Sequence, residues 1–556
     1  MTAHPLLPPS GFPTTLHNVL RRAPLWALVA TLAACSQPND DKQAPSQPVS
    51  GGTLRFAISE VVKCLDTVQY ADRAAGAIAQ QYFENLVFQD EHGQIHPWLA
   101  ASWKVSDDGL TYVFTLRQDK VFSDGTPFNA EAVKANIDYI LQSTSWTRTS
   151  LLRVESATVL GPYTVAIKLL EPDSGTLEAL ADPIVPMQSP TALAQGAKQN
   201  CSTPAGTGPF KVAAFDQQTG VTFVRNEHFT QGPPIVAHQG PAYLEKVEYR
   251  FITDNAARLA ALQSGAVDAI EGANVENTAT FQADPSITLI TAARKGIADV
   301  FFLNRTQAPW TDERVRKAFI HAVDVGTSLK TAFFGQYAPL YSPISSTTTY
   351  HIDRPEYYQH DEAKANALLD EAGWTGRDSE GYRTQGGQRL GSTFTLAASE
   401  VPALVSTVQQ AQQALKKVGF KLDIQQLDGA SALASAYGWN YAVVRLSYSK
   451  NSPDIQRALF HSAGGATNAD GSHKSPTPVL DPTLDHLLEQ ATRAGDPQQR
   501  QALYEQVQAR IGELGVLLPI ADQQTRLAYK PQVHGLRLWP ASNYVALYDV
   551  WLAPGH

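Results

Sequence analysis

Residues 97–137 read PWLAASWKVSDDGLTYVFTLRQDKVFSDGTPFNAEAVKANI, and their sequence of turn, strand, turn and helix decides the reading of the chain. An apolar cluster, Trp98, Leu99 and Trp103, precedes a turn at Asp107-Asp108-Gly109. The next residues alternate as a strand does, with Tyr112, Phe114 and Leu116 on one side and Thr111, Val113 and Thr115 on the other. Arg117 follows, then Val121-Phe122 and a second Asp-Gly turn at Asp124-Gly125. Pro127 fixes the exit, Asn129 is the expected N-cap, Glu131 suits the first turn, and a helix is predicted through Val133 and Ile137. By itself this is a hairpin that delivers a helix.

The chain around it has 556 residues, of which 43% are apolar and 17% charged, a globular composition rather than that of a disordered or polytopic membrane protein. A chain this long is expected to divide its core among two or three lobes. The net charge of −9 and the lack of a Lys/Arg run exclude a basic field for nucleic acid. Only two methionines are present, Met1 and Met187, which argues against Met-rich metal or groove chemistry.

Arg21 and Arg22 precede an apolar run, 24–34, that ends in Leu32-Ala33-Ala34-Cys35. Positive charge, a short apolar stretch and small residues before a cut describe an export signal, and the run is too short to span a bilayer as a helix. The Leu-Ala-Ala-Cys ending resembles the bacterial lipobox, which implies that residues 1–34 are removed and Cys35 becomes the acylated first residue. In the alternative reading the signal is an ordinary cleaved one and Cys35 is incidental. Residues 35–50, polar and proline-containing, read as a flexible tether, giving a folded body leashed to a membrane that it does not span. After lipidation Cys64 and Cys201 are the one remaining pair, and in an oxidising compartment a disulfide is expected, ahead of two free thiols and well ahead of a metal site.

The order W-L-A-x-S-W, D-G-x-x-Y-x-F-x-L-R and F-x-D-G-x-P-F-x-A-x-x-V in the opening stretch resembles the signature of the peptide- and nickel-type solute-binding proteins of ABC importers (solute-binding protein family 5). Other segments resemble the same family: Gly51 to Ile58, Leu65-Asp66, Gly206-Thr207-Gly208-Pro209-Phe210, Val221 to Asn226, Ala256 to Ala269 and Asp312 to Asp324. The resemblance covers residues 51 to 550 and implies an α/β, two-lobed periplasmic-binding-protein fold of the large cluster C type, with an extra subdomain in the first lobe. On that pattern lobe I takes 51–90, 205–298 and 520–556, the extra subdomain 91–204 and lobe II 299–519. Helices are predicted over Ala75 to Leu86, Ala363 to Trp374 and Val405 to Val418, with Gly373 closing the second.

The implied function is capture of a small solute in the interlobe cleft and delivery to an ABC permease and its ATPase, by a monomer without cofactor, resident metal or catalysis. The variable cleft segment maps to Tyr441–Phe460. Where dipeptide-type members carry an Asp for the peptide amine, this chain has Ser449 and Lys450, and Asp454 is either a substitute or a local cap. Arg148 is the nearest match to a chelate-contacting Arg of nickel-type members, whose Met region has no methionine here and whose second Arg falls near Ile184. Arg148 and Arg445 together can grip a carboxylate or metal chelate, since a guanidinium offers paired donors; a salt bridge is the alternative for each. Trp146, Trp439 and Tyr448 are candidate cleft walls or core residues. An oligopeptide-like cargo is the broad expectation, a nickel chelate or other metallophore the second. Against an enzyme, there is no G-x-S-x-G elbow, H-E-x-x-H or P-loop, and His92 and His96 flank Gly93 in strand-like surroundings. A periplasmic hydrolase and a peptide-binding chaperone are the rival readings of another class.

Overall fold

In the computed structural model the described residues are 47–554, apart from 71, 72, 144, 146 and 469. The export signal, Cys35, most of the tether and Trp146 therefore lie outside them. The opening stretch folds as read. Strands Ala100–Val105 and Thr111–Leu116 pair antiparallel, Tyr112, Phe114 and Leu116 are buried, and the Asn129 side chain accepts the Ala132 N–H at the head of helix Ala130–Gln142. Strands Thr164–Leu169 and Val154–Gly161 complete a four-stranded sheet, whose apolar face shares one core with Val133, Ile137 and Ile140 of that helix.

A buried ion pair welds this unit to its neighbour. Lys120 donates to both Glu84 oxygens at 2.9 and 3.0 Å, and the Trp98 indole N–H donates to the same carboxylate at 2.7 Å. Trp98 also packs on Phe88 and Trp539, which fixes the signature's first tryptophan from both sides. The Gly-Thr-Gly turn beside it is a steric requirement. A Cβ on Gly206 would lie 2.0 Å from the Tyr82 carbonyl oxygen, and one on Gly208 would lie 2.6 Å from the Tyr82 carbonyl carbon.

The helix expected over Ala75 to Leu86 is shorter, Arg73–Ala79. Beyond Ala79 the carbonyls serve other segments: Gln81 accepts Phe210 N–H, Tyr82 accepts Gly208 N–H, Asn85 accepts Leu99 N–H and Leu86 accepts Ala100 N–H. Tertiary partners thus outcompete helical bonds for the same oxygens.

A seven-stranded sheet forms one lobe, in the order Thr288–Ala293, Gln524–Tyr529, Ala269–Glu271, Thr53–Ile58, Lys246–Phe251, Gly220–Arg225, Phe210–Asp216. Apolar cores cover both its faces. A five-stranded sheet forms the other, in the order Lys421–Leu427, Gly391–Ala397, Val443–Ser449, Gly296–Leu303, Leu517–Ala521, within one large core that includes the buried Trp310. Helix Glu362–Glu371 ends before Gly373, whose φ of +87° suits the expected cap, and Pro402–Lys417 is the second predicted helix of this lobe. Cys64 and Cys201 are bonded, with Cα atoms 4.6 Å apart.

Two crossings join the sheets. Strand Thr288–Ala293 passes through Arg294-Lys295 into Gly296–Leu303, and Leu517–Ala521 passes through Asp522-Gln523 into Gln524–Tyr529. The Arg294 N–H donates to the Gln523 carbonyl at 2.7 Å, so the two crossings run side by side as a hinge.

Candidate functional site

In each lobe the parallel strands end toward the hinge, and the carboxyl ends of parallel strands are where α/β sheets place their ligands. In the first lobe Thr53–Ile58 runs parallel to Lys246–Phe251 and Ala269–Glu271, so Ser59, Glu60 and Glu271 emerge there. In the second, Gly391–Ala397 runs parallel to Lys421–Leu427 and Val443–Ser449, bringing out Glu400 and the segment Tyr448-Ser449-Lys450.

Charge is gathered at these ends and mostly matched. Glu271 accepts Arg73 at 2.8 Å and Ser59 at 3.0 Å, with Arg294 at 3.6 Å. Burial alone would raise this carboxyl, yet the two guanidiniums hold it down at about 2. Arg73 also pairs with Glu60. The Tyr544 ring lies against Gly76 beside Ile184, and burial pushes its hydroxyl up to about 12. Arg445 is clamped between Asp299 and Glu400, the latter at 3.1 Å. Burial raises the Glu400 carboxyl against the pull of Arg445, with Asp299 adding to the rise. Gln523 of the hinge donates to Ser447 at 2.5 Å, tying crossing to strand.

The sequence candidates separate on this frame. Arg148 donates to the Leu151 carbonyl at 2.7 Å and makes no ion pair among the described residues, and burial lowers its pKa. Two residues on, Ser150 accepts Lys450 at 2.7 Å, and Lys450 also pairs with Asp182 at 3.2 Å, which brings Arg148's helix and the variable segment to one interlobe seam. Asp454 lies at that seam too. It stands at the N-cap position of helix Ile455–Phe460 without a side-chain cap bond, pairs with Arg457 at 3.0 Å and accepts Thr492 at 3.0 Å. Arg445 pairs with its two acids through its Nη atoms, while its buried Nε has no hydrogen-bond partner among the described residues. Tyr448 lies with its hydroxyl 3.4 Å from that of Tyr437. Trp439 instead stacks on His473 at 3.7 Å and donates its indole N–H to Ser475, both within the second lobe.

Residues the sequence did not single out complete the seam. Glu178, on helix Thr176–Leu180, receives Arg500 at 2.7 and 3.2 Å, the Ser452 hydroxyl, and Asn451 at its backbone carbonyl. Ser174 donates backbone N–H and hydroxyl to the Thr492 carbonyl, and Glu171 bridges Arg153 and Arg493. One signal was available: Arg294-Lys295-Gly296, a basic pair and a glycine between two strand patterns, marks the hinge.

Two α/β lobes on a double crossing, with strand ends and matched charge facing one cleft, define a two-lobed binding protein of the periplasmic type. The family model described as bacterial extracellular solute-binding proteins, family 5 (middle), matches residues 94–520, and the chain belongs to that family. The glutathione-binding protein GsiB of Salmonella typhi is 27% identical over 495 residues, which cover 88% of this chain and 92% of GsiB. The structure of NikA from Brucella suis in complex with Fe(III)-EDTA aligns with a TM-score of 0.78 and 26% identity, over 90% of this chain and 100% of NikA. AppA of Bacillus subtilis, solved with a nonapeptide, shares the fold at 21% identity and a TM-score of 0.76, over 91% of this chain and 100% of AppA. No helix among the described residues is long and apolar enough to cross a membrane.

Proposed function

We propose that this protein is an extracytoplasmic, lipid-anchored receptor of an ABC importer that captures an oligopeptide-like solute in the interlobe cleft and hands it to the permease. The hinge carries the reading: two short crossings, 294–295 and 522–523, join sheets whose ligand-facing ends oppose each other, the arrangement that lets a solute be enclosed and released without reaction. Acylation at Cys35 and the tether to residue 50 hold the body at the membrane. In this reading lobe I takes 51–90, 205–293 and 524–554, the extra subdomain 91–204 and lobe II 296–521, which moves the boundaries expected at 298/299 and 519/520 to the crossings, since strands Gly296–Leu303 and Leu517–Ala521 pair within the five-stranded sheet.

GsiB's glutathione is an oligopeptide-like solute, which supports that cargo class here. Arg148 favours a second reading, an anionic solute or metal chelate, because its charge meets no carboxylate among the described residues. Calorimetric titration with glutathione, short peptides and Fe(III)-EDTA decides between them. Saturable binding of peptides without turnover supports the first; binding of the chelate alone supports the second; hydrolysis of the peptides sinks both. Mass spectrometry of the membrane fraction checks for a diacylated Cys35.

A further inference from the structure

The two edges of the seven-stranded sheet are finished differently. Phe210–Asp216 carries Lys211 and Asp216 and a bulge between Val212 and Ala214, the ordinary guards of an exposed edge. Thr288–Ala293 at the other edge reads TLITAA, with no charge, no proline and an unbroken register to Gln524–Tyr529. The Arg294 N–H bonds back to the Gln523 carbonyl, so every second residue before it, Ala292, Ile290 and Thr288, faces that neighbour. Leu289, Thr291 and Ala293 therefore turn their N–H and C=O outward. The Ala293 carbonyl is taken by the Thr347 hydroxyl at 3.3 Å and by the Asn543 amide. The outward groups of Leu289 and Thr291 meet no partner among the described residues. Both residues line a groove of about 370 Å³, within the size range of ligand sites. Its walls include Phe281 and Ile287 from the first lobe and Gln336 from the second. Two residues before Gln336, Phe334 stands at a φ of +53° and is 63% exposed, a strained setting for a bulky apolar side chain. Among the described residues the one charged side chain lining the groove is Asp284, which accepts the Ser286 N–H and hydroxyl and joins no ion pair.

We propose that this groove is the docking site of a partner protein, which adds an extended segment carrying a basic residue as a further strand on Thr288–Ala293. The backbone of such a segment supplies the donors and acceptors that Leu289 and Thr291 lack, its apolar side chains meet Phe281 and Ile287, and its cation meets Asp284. Arg526, on the neighbouring strand, is buried behind this wall and spent on the Ala273 carbonyl and the Thr278 hydroxyl, so it does not oppose that charge. Because the groove is walled from both lobes, it receives a single strand and not the sheet edge of a second copy. The same walls couple docking to the hinge. Thr291 moves with the first lobe and Gln336 with the second, so the open and cargo-loaded forms present different grooves to the partner. None of this depends on which solute is carried.

The test pans a phage-displayed library of random linear segments, about ten residues long, against the protein with its tether intact, and then measures the selected segments as synthetic peptides. These are expected to be rich in β-branched residues and to carry Lys or Arg. Thr291→Pro removes one outward N–H and leaves the ladder to Gln524–Tyr529 whole, so it is expected to weaken binding about tenfold or more. Asp284→Asn is expected to weaken it several-fold at low salt and little at high salt. In the wild type the bound peptide is expected to slow hydrogen exchange at the Leu289 and Thr291 amides. Segments that bind a folded Thr291→Pro as well as they bind the wild type lie elsewhere, the interlobe cleft included, and overturn the proposal. A library that yields no binder also overturns it. So does binding that appears only once residues 35–46 are removed, which gives the groove to the chain's own tether, and so does a concentration-dependent dimer that Thr291→Pro abolishes, which gives it to a second copy.

Discussion

Gly296 shows how one residue governs the hinge. Its φ is +115°, and a Cβ there would lie 2.1 Å from the Tyr448 carbonyl oxygen and 2.6 Å from the Lys450 nitrogen. The strand that crosses between lobes therefore touches the cleft segment backbone to backbone, and Lys450 N–H bonds to the Lys295 carbonyl at 3.1 Å because nothing intervenes. Gly296→Ala is expected to cost about 2 kcal/mol or more in denaturant unfolding and to weaken solute binding as the Tyr448–Lys450 segment is pushed away. Glu271 supplies the pH dependence at this scale. Its folded value of about 2 lies below the ordinary 4.5, so its contribution is fully present above the unfolded value and is lost as pH falls through the folded one. Arg73 carries most of this pairing, since Arg294 is itself depressed by burial and by Arg73. Stability measured between pH 4.5 and 2 should fall less steeply in Glu271→Gln than in the wild type, by up to about 3 kcal/mol across the window. Equal slopes would show that the pair contributes nothing to folding.

Elements were legible in the sequence wherever a local pattern also satisfied the tertiary structure. The Asn129 cap, the alternation Tyr112, Phe114, Leu116 and the terminator Gly373 are of this kind, because their chemistry acts within a few residues. The turn-by-turn signature also gave the family, and with it two lobes. What stayed hidden depends on distant partners. The predicted helix over Ala75 to Leu86 fails past Ala79 because N–H donors from other segments, Phe210 and Gly208 over a hundred residues away and Leu99 and Ala100 from the next strand region, claim its carbonyl oxygens, and Glu178 looks like any surface acid until helix Pro497–Leu514 is laid against it. That contact latches the extra subdomain to the second lobe: Arg500 bonds both Glu178 oxygens, and both side chains are less than a tenth exposed. Breaking one partner leaves a buried charge uncompensated, so Glu178→Gln and Arg500→Gln should each weaken closure strongly. The double variant should cost less than their sum, by about 1–3 kcal/mol of coupling. Solute affinity of the four proteins, measured side by side, gives that coupling; strict additivity would place the pair outside the closing interface.

For the molecule as a whole, the proposed receptor function puts the latch and the cargo on one equilibrium. Both crossings are two residues long, and the lobes have separate cores, so opening breaks the seam at Glu178, Ser174 and Lys450 while leaving each core intact. A solute that bonds to both sides stabilises the closed form by its differential affinity and nothing more. The apparent dissociation constant is then the intrinsic one divided by the closed fraction, and a weakened latch raises it even where no solute contact is touched. Three observations should move together. Solution scattering should show the radius of gyration contracting on addition of cargo. Thermal stability should rise with cargo, by about 2.7 kcal/mol at a hundredfold excess over the dissociation constant. In Glu178→Gln the free protein should scatter as the more open form, with the cargo-driven contraction correspondingly larger and the affinity lower. A free protein as compact as the loaded one, with Glu178→Gln unchanged in both size and affinity, would mean that the seam is fixed and that solute enters by some route other than hinge opening.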